Sequence, residues 1–356
     1  MTKLGPGGWS VRLIVLAIGV ALLLAPFLFP GVRPIQVAAR ICVFIVLVAS
    51  YDLLIGYTGV VSFAHTMFFG LGAYGTAIAL SQSDASWGAL LIGGALGVLA
   101  ALVLAVLIGL LSLRVRAIFF AMVTLAVASV ALVLASQLSG LTGGEDGLTY
   151  STPDLFSPAT PLWHDAAGKT ARLFGVRMDG QILAYYLVFF CALLLYLLLL
   201  RVTVSPLGTV LKAIRENEAR AEALGYRVVA YRTFVFGFTA VMAALAGVLY
   251  AIWLQYTGPD TTLSFEIMVD ILLMVVIGGM GTMWGAVIGA AALVMAQYYL
   301  RDVMQAAADA TAGLPLLPAL LNPDRWLLWL GIAFILLVYF FPAGIAGTLT
   351  RREARK

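Results

Sequence analysis

Residues 201–232, RVTVSPLGTVLKAIRENEARAEALGYRVVAYR, form the longest highly charged segment of a chain that is otherwise almost entirely apolar. They contain six of the 21 Lys and Arg residues and three of the 17 acids. Apolar residues recur within the segment at a helical spacing, which predicts an amphipathic helix. Ser205 before Pro206 is typical of a helix start, Asn217 is suited to capping a second helix, and Gly225 is suited to a helix end. One helix and two helices are both compatible with this pattern.

The composition of the whole chain identifies a membrane protein. Hydrophobic residues make up 63% of the sequence and charged residues 11%, whereas about a quarter of the residues in a soluble domain are charged. Ten apolar runs are long enough to cross the roughly 30 Å hydrocarbon core of a bilayer. The sequence therefore predicts one all-α integral membrane domain, residues 1–356, with about ten transmembrane helices. The predicted spans are 13–29, 36–55, 62–80, 88–112, 117–138, 182–200, 233–254, 263–279, 283–300 and 326–342.

The distribution of charged residues predicts the orientation of these spans. With residues 201–232 in the cytoplasm, fourteen of the 21 Lys and Arg fall on the cytoplasmic side and seven fall outside. This excess of basic residues on the cytoplasmic side is what the positive-inside rule leads us to expect, and the acids lean the other way. We therefore expect both termini in the cytoplasm and the largest external loop at residues 139–181. The amphipathic segment then either lies on the membrane surface or docks in a groove of a soluble partner.

Glycines and polar residues inside apolar runs mark candidate sites within the membrane. The glycines, hydroxyl residues and histidine of residues 52–74 predict either a broken helix that lines a pathway or a short hairpin between two spans. An ionisable group at depth is costly and is therefore a functional candidate, although a carboxylate near a span end is also used structurally. The candidates for a translocation pathway are Asp52, Gly56, Gly59, Ser62, His65, Glu266 and Asp270.

Other motifs point to packing and away from catalysis. Gly281, Gly285 and Gly289 recur at intervals of four, which is typical of helices that pack closely in lipid. The sequence contains no HExxH, no Cys-His cluster, no GxSxG and no Walker A motif. We therefore expect a transport protein that is not an enzyme, holds no metal or cofactor, and takes its energy from another protein.

Three stretches resemble the branched-chain amino acid permeases of ATP-binding-cassette (ABC) transporters, the LivM type. They are GYTGVVSFAHTMFFGLGAY at 56–74, LKAIRENEARAEALGYRVVAYRTFVFGFTAVMAALAGVLYA at 211–251 and IGGMGTMWGAVIGA at 277–290, in the expected order. The general importer signature is EAA, three residues and a glycine. Here EAR begins at Glu218 and the glycine stands one position late, at Gly225, so the docking register stays open. The resemblance implies contact with ATPase subunits through Arg215, Glu216, Asn217, Glu218, Ala219, Leu224 and Gly225.

The resemblance also implies a complex in the bacterial cytoplasmic (inner) membrane. Its other members are a second homologous permease, two ATPase subunits that bind ATP and Mg²⁺, and an extracytoplasmic solute-binding protein, with membrane lipid around them and no nucleic acid. The expected function is that of the permease subunit of an importer for branched-chain amino acids, or for a related small solute such as urea or an amide. The alternative is an ion-coupled secondary transporter with Asp52, Glu266 and Asp270 as ion ligands.

The mode of contact is a further hypothesis. We expect Glu216 and Glu218 to meet basic residues of an ATPase subunit, while Leu211, Ile214 and Leu224 pack on one apolar face of residues 201–232.

Overall fold

Helices make up nearly all of the described chain in a computed structural model. It describes residues 8–29, 31–83, 85–112, 117–158, 160–161, 172–173, 176–310 and 322–354. Two pairs of two-residue strands, β1 (Leu148–Thr149) with β4 (Tyr256–Thr257) and β2 (Arg172–Leu173) with β3 (Val176–Arg177), lie among these residues. The helices are α1 (Trp9–Leu28), α2 (Val32–Thr58), α3 (His65–Gln82), α4 (Trp87–Ser112), α5 (Ala117–Gln137), α6 (Ser139–Thr142), α7 (Gly180–Val204), α8 (Pro206–Glu216), α9 (Glu218–Ala223), α10 (Val228–Leu254), α11 (Pro259–Thr262), α12 (Phe265–Gly278), α13 (Met283–Ala310), α14 (Trp326–Phe340) and α15 (Gly344–Ala354).

The all-α membrane fold predicted from the sequence is confirmed. Within the described residues, nine helical stretches are long and apolar enough to cross a membrane, and they coincide with nine of the ten predicted spans. The tenth prediction, residues 62–80, corresponds to the 18-residue helix α3, which is less apolar because it begins at a histidine and ends at Ser81 and Gln82. Helix α3 lies between α4 and α10.

The predicted loop at residues 201–232 is too long at both ends. Helix α7 continues to Val204 and α10 already begins at Val228, so the segment between the two spans is residues 205–227. We call this the polar segment. A helix continues past its apolar run where charged side chains at its end can extend their apolar stems along the helix and keep their charges in water. Hydropathy alone therefore makes both spans too short. It ends the first before Arg201 and begins the second after Arg232, although both arginines lie within helices.

Helix α2 is the centre of the bundle. In its most apolar stretch, 89% of the residues are buried, and it contacts α7, α8, α10, α12 and α13. Its sequence is apolar on all sides over residues 41–49, which is the pattern of a helix that has neighbours all round. Any movement of α2 therefore changes the packing of most of the bundle.

Small residues let α3 approach its two neighbours closely. A methyl group on Gly72 would overlap the carbonyl of Ala244 on α10. A Cβ on Gly75 would lie 2.6 Å from the carbonyl oxygen of Gly93 and 2.7 Å from the Cα of Gly97, both on α4. Backbone contact of this kind supplies the dispersion that holds helices together in lipid.

The two described ends of the chain lie together. The backbone N–H of Ser10, at the start of α1, donates to the Glu353 carboxylate of α15 over 2.8 Å. The N–H of Gly8 donates to Thr350 Oγ1 over 3.4 Å. A carboxylate at a helix N-terminus satisfies free N–H groups and complements the helix dipole. Both ends are thus on one side of the bundle, while the side of the membrane that they face stays a prediction.

Part of the predicted external loop, residues 139–181, is fastened to the end of α10 that lies away from the polar segment. Leu148 pairs with Thr257, and Thr149 with Tyr256. The hydroxyl of buried Tyr150 donates to the carbonyl of Ala251 over 3.0 Å and lies 2.9 Å from Thr257 Oγ1. These bonds hold the loop against the bundle.

Candidate functional site

The polar segment folds as two short helices, which answers the question left open by the sequence. Asn217 ends α8 and caps α9, since its side-chain oxygen accepts from the N–H of Arg220 over 2.9 Å. Pro206 occupies the first turn of α8 as predicted, but Ser205 does not cap it. Its hydroxyl instead donates to the carbonyl of Val202 over 2.6 Å, because α7 ends immediately before it and leaves that carbonyl available.

Helix α9 ends just before a glycine, as the sequence predicted. Gly225 has a φ of +90°, a left-handed conformation that favours glycine. Its N–H donates to the carbonyl of Glu222, and the N–H of Tyr226 donates to that of Ala221. This pair of bonds is the Schellman arrangement, which satisfies the last carbonyls of a helix.

The apolar face of the polar segment is buried on the bundle, with one exception. Leu211, Ile214 and Ala221 are 0%, 1% and 2% exposed. Leu224 is 72% exposed, so the prediction that it packs with Leu211 and Ile214 is wrong for this chain. The prediction assumed one continuous helix. Because the helix is broken at Asn217, the 3.6-residue period does not continue from α8 into α9, and Leu224 does not share a face with Leu211 and Ile214.

The opposite face is open. All seven predicted ATPase contacts, Arg215, Glu216, Asn217, Glu218, Ala219, Leu224 and Gly225, are exposed. Glu216 makes no hydrogen bond or ion pair with any residue that the structure describes.

The carboxylate of Glu218 is already occupied within the chain. Its two oxygens accept from the guanidinium of Arg232 at 2.8 and 3.0 Å. Because the Glu218 side chain is 48% exposed, this ion pair contributes little to stability. It does fix α9 to the first turns of α10.

Arg215 faces the bundle with its guanidinium. Its Nη1 donates to the carbonyl oxygen of Gly56, near the end of α2. One turn earlier on α8, Lys212 Nζ lies 4.9 Å from the centre of the Tyr57 ring. Two basic side chains of α8 therefore contact the last turn of α2.

The same turn of α2 contacts the loop between α12 and α13. Asp52 is 1% exposed, and its Oδ1 accepts from the N–H of Gly281 over 2.7 Å. A Cβ on Gly56 would lie 2.5 Å from the nitrogen of Gly281, so only glycine fits there without displacement. Residues from all three motifs thus meet at one place. We call Asp52, Gly56, Arg215 and Gly281 the glycine junction.

The predicted break after Asp52 is a turn of six residues, 59–64, between α2 and α3. Gly59 ends α2 with a φ of +72°. Ser62 is buried and accepts from the N–H of Ala64 over 3.2 Å, and the N–H of Phe63 donates to Thr124 Oγ1 over 3.0 Å. The non-helical backbone is therefore packed against protein, as a membrane requires.

His65 is fully buried just beyond this turn. Its Nε2 lies 2.8 Å from Ser50 Oγ, and the Ser50 hydroxyl donates to the carbonyl of Leu47. The other ring nitrogen has no hydrogen-bond partner in the described part of the chain.

The remaining predicted pathway acids lie elsewhere. Glu266 and Asp270 are on α12 and line a cavity of about 630 Å³ between α12, α13 and α14. Asp270 accepts from Gln297 Nε2 over 2.8 Å, whereas Glu266 is exposed. Asp52 lies in the glycine junction instead, and among the described residues no three His, Cys, Asp or Glu side chains are grouped to hold a metal ion. The structure thus separates the predicted pathway acids: Asp52 lies in the glycine junction, and Glu266 and Asp270 line the cavity beside α12.

Arg40, one of the seven Lys and Arg residues expected on the outside, is a partly buried basic residue within α2. It lies eight residues into α2, or about 12 Å along the helix. Its Nη1 donates to the Tyr298 hydroxyl over 3.3 Å, its guanidinium lies 5.2 Å from the centre of the Phe44 ring, and its charge interacts with Asp270. The sequence did contain a sign of this role, because an arginine within an apolar run is rare and usually has a partner inside the bundle.

The glycines assigned to packing differ in their surroundings. A Cβ on Gly285 would lie 2.6 Å from the carbonyl oxygen of Gly278, and one on Gly289 would overlap the carbonyl of Met274. Both therefore lie where α13 touches the backbone of α12. Gly281 is in the preceding loop, with a φ of +80°, and belongs to the glycine junction.

Comparison with known proteins gives relatives over most of the chain. It is 25% identical over 320 residues to the high-affinity branched-chain amino acid transport system permease protein LivM of Salmonella typhimurium, which covers 88% of this chain and 74% of that protein. It is 25% identical over 303 residues to the protein of the same name from Escherichia coli, covering 82% and 69%. It is 25% identical over 221 residues to a probable LivM of Methanocaldococcus jannaschii, covering 62% and 57%. No solved structure matches the chain.

The family comparison agrees with these relatives and with the resemblance of the three motifs. The family model described as branched-chain amino acid transport system, permease component, matches residues 33–339. That range includes the polar segment, the turn at residues 59–64 and every residue of the glycine junction. The chain therefore belongs to the family of branched-chain amino acid transport system permease components.

Proposed function

We propose that this chain is the membrane-spanning permease subunit of an ABC importer for branched-chain amino acids in the bacterial inner membrane. It works with a second homologous permease, two ATPase subunits that bind ATP and Mg²⁺, and an extracytoplasmic solute-binding protein. The chain itself contributes no catalytic group. The relatives named above are branched-chain amino acid permeases, which supports this substrate class over urea or an amide and this mechanism over ion-coupled transport.

The observation that carries the proposal is the placement of the polar segment. One face of it is buried on the bundle through Leu211 and Ile214. The other face is exposed. It includes the apolar side chain of Leu224 and the carboxylate of Glu216, which has no hydrogen-bond or ion-pair partner among the described residues. A helix that is anchored on one side and open on the other is suited to filling a groove of a soluble partner.

The exposed residues indicate how an ATPase subunit would bind. A large exposed apolar side chain with charges around it is typical of the centre of a protein interface. We therefore assign Leu224 as the apolar anchor and Glu216 as the residue that meets a basic side chain of the ATPase. Glu218 is a weaker candidate, because binding an ATPase residue would first require it to leave Arg232.

Reconstitution tests the proposal. The chain, its homologous permease and the two ATPase subunits are placed in liposomes with ATP inside and the loaded binding protein outside. We expect uptake of leucine, isoleucine and valine that requires ATP and the binding protein, and no uptake of urea or acetamide. Uptake by the permeases alone, driven by a proton or sodium gradient, would contradict the proposal and favour the ion-coupled alternative.

A variant tests the docking surface separately. Glu216→Lys reverses the charge of a side chain that makes no described contact inside the chain, so insertion and folding are expected to be unchanged. Co-purification of the ATPase subunits should fall. Glu222→Lys is the matched control on the same segment, because Glu222 is also an exposed acid of the segment but is not one of the assigned contacts. Equal loss in both variants would show a general charge effect and not a specific contact.

A further inference from the structure

Arg215 was grouped with the ATPase contacts, yet its guanidinium is directed into the bundle. Nη1 donates to the Gly56 carbonyl. A Cβ on Gly281 would lie 3.3 Å from the same Nη1, and one on Gly59 would lie 3.4 Å from Arg215 Cγ. Part of the side chain is exposed, but its hydrogen-bonding end is inserted between the end of α2 and the loop of residues 279–282.

The position of this contact on α2 gives it a physical role. The last four carbonyls of a helix have no partner within the helix, and the dipole makes that end negative. Gly56 is in the last turn of α2, which ends at Thr58. Arg215 supplies a donor and a positive charge there, and Lys212 brings a second positive charge against Tyr57. Helix α8 therefore caps α2 from outside.

The buried carboxylate of the junction extends this link. The charge of Arg215 acts favourably on Asp52, one turn further into α2. Asp52 in turn holds the N–H of Gly281. Its second oxygen has no hydrogen-bond partner in the described part of the chain, and the charge of Arg215 adds a weaker favourable interaction to the Gly281 bond. Withdrawal of α8 would therefore remove both the donor to the Gly56 carbonyl and a favourable charge near the buried Asp52 carboxylate.

We propose that Arg215 is an internal positioning residue that makes α8, the end of α2 and the loop at residues 279–282 move as one body. The proposal rests on the proposed function, in which α8 is displaced by the ATPase subunits. Through the glycine junction, a displacement of α8 reaches α2 at the centre of the bundle and the connection between α12 and α13. In this role Arg215 acts on transport without touching the ATPase.

A distance measurement on the chain alone tests the link. Spin labels are attached at Ala213, exposed on α8, and at Met280, 51% exposed in the loop, after Cys42 and Cys191 have been replaced by alanine. In nanodiscs, the distance distribution should be narrow with Arg215 present and should broaden in Arg215→Gln. Arg215→Lys should restore part of the narrow distribution, because a lysine still offers a charged donor. Identical distributions in all three proteins would overturn the proposal, whatever the outcome of transport assays.

Reconstituted complexes test the consequence for coupling. Arg215→Gln should retain its ATPase subunits and hydrolyse ATP, while leucine uptake per ATP falls about tenfold. Arg201→Gln is the matched control, an exposed arginine with no described hydrogen bond or ion pair, and should behave as the unchanged protein. Loss of the ATPase subunits from Arg215→Gln, or normal uptake per ATP, would overturn the proposal. Failure of the unchanged complex to transport would instead count against the proposed function.

Discussion

Replacing Gly56 with alanine should break the glycine junction. The new Cβ would lie 2.5 Å from the nitrogen and 2.7 Å from the Cα of Gly281, and it would also overlap the Asp52 carboxylate. Ordinary contacts between heavy atoms are about 3.5–4.0 Å. The loop therefore has to move away from α2 by roughly 1 Å, which is enough to lose the Asp52–Gly281 hydrogen bond and to disturb the Arg215–Gly56 bond.

The size of the effect follows from these contacts. A buried hydrogen bond to a charged group contributes about 1.5–3 kcal/mol, and forcing extra volume into a packed site costs about 1–3 kcal/mol. The bond of partly exposed Arg215 adds less, because water screens it. Alanine in a helix returns about 0.5–1 kcal/mol. We therefore expect Gly56→Ala to lower the free energy of unfolding by about 2–5 kcal/mol.

Gly19→Ala is the matched control. Gly19 is also inside a membrane helix, but a Cβ there would have no atom of the described residues within 4 Å. Unfolding of both variants is followed by circular dichroism in mixed micelles with increasing SDS. Gly19→Ala should be neutral or slightly more stable than the unchanged chain. The reasoning is refuted if the two variants unfold at the same SDS fraction.

Three further predictions concern residues outside the junction. Asn217→Ala removes the cap of α9 and should cost about 1 kcal/mol, seen as faster hydrogen exchange in residues 218–223; unchanged exchange would contradict the cap. Leu224→Glu should change stability by less than about 0.5 kcal/mol, because the side chain is exposed, but should reduce co-purification of ATPase subunits; full retention would remove Leu224 from the interface. Burial raises the pKa of the Tyr150 hydroxyl, so its stabilisation of the external loop is complete below its ordinary pKa of about 10 and decreases as the pH rises above that value. Limited proteolysis of the loop should therefore accelerate above pH 10 in the unchanged chain, and a Tyr150→Phe variant, cleaved faster at neutral pH, should lack this acceleration; equal pH profiles would contradict the role of the hydroxyl.

Much of the fold could be predicted because a bilayer imposes a simple rule. A run of about twenty apolar residues is a membrane helix, and the sequence alone therefore gave the helices around residues 88–112, 117–138 and 326–342 to within two residues at each end. The rule fails where charge and helix overlap. Arg201 and Arg232 lie within helices, and hydropathy cannot show this because the helix is held by backbone hydrogen bonds and not by its side chains.

The candidate site was predicted only in part. Each motif of the glycine junction was visible in the sequence, but nothing in it showed that Gly56 and Gly281, more than two hundred residues apart, are in contact. Which residue a side chain bonds to also depends on the folded structure and cannot be read from the sequence. Glu218 faces Arg232, Arg215 faces Gly56, and Leu224 faces outward, although all three looked alike as members of one polar segment. The interaction between the charges of Arg40 and Asp270 could not be predicted either, because the two residues are far apart in the sequence.

The contact between Glu353 and the first turn of α1 has a consequence for the order in which the protein is made. Helix α1 leaves the ribosome long before α15, yet the carboxylate that caps it belongs to α15, more than three hundred residues later in the chain. During nearly all of synthesis, the start of α1 must be satisfied by water or lipid headgroups. The contact between α15 and α1 can therefore form only after residue 353 has left the ribosome.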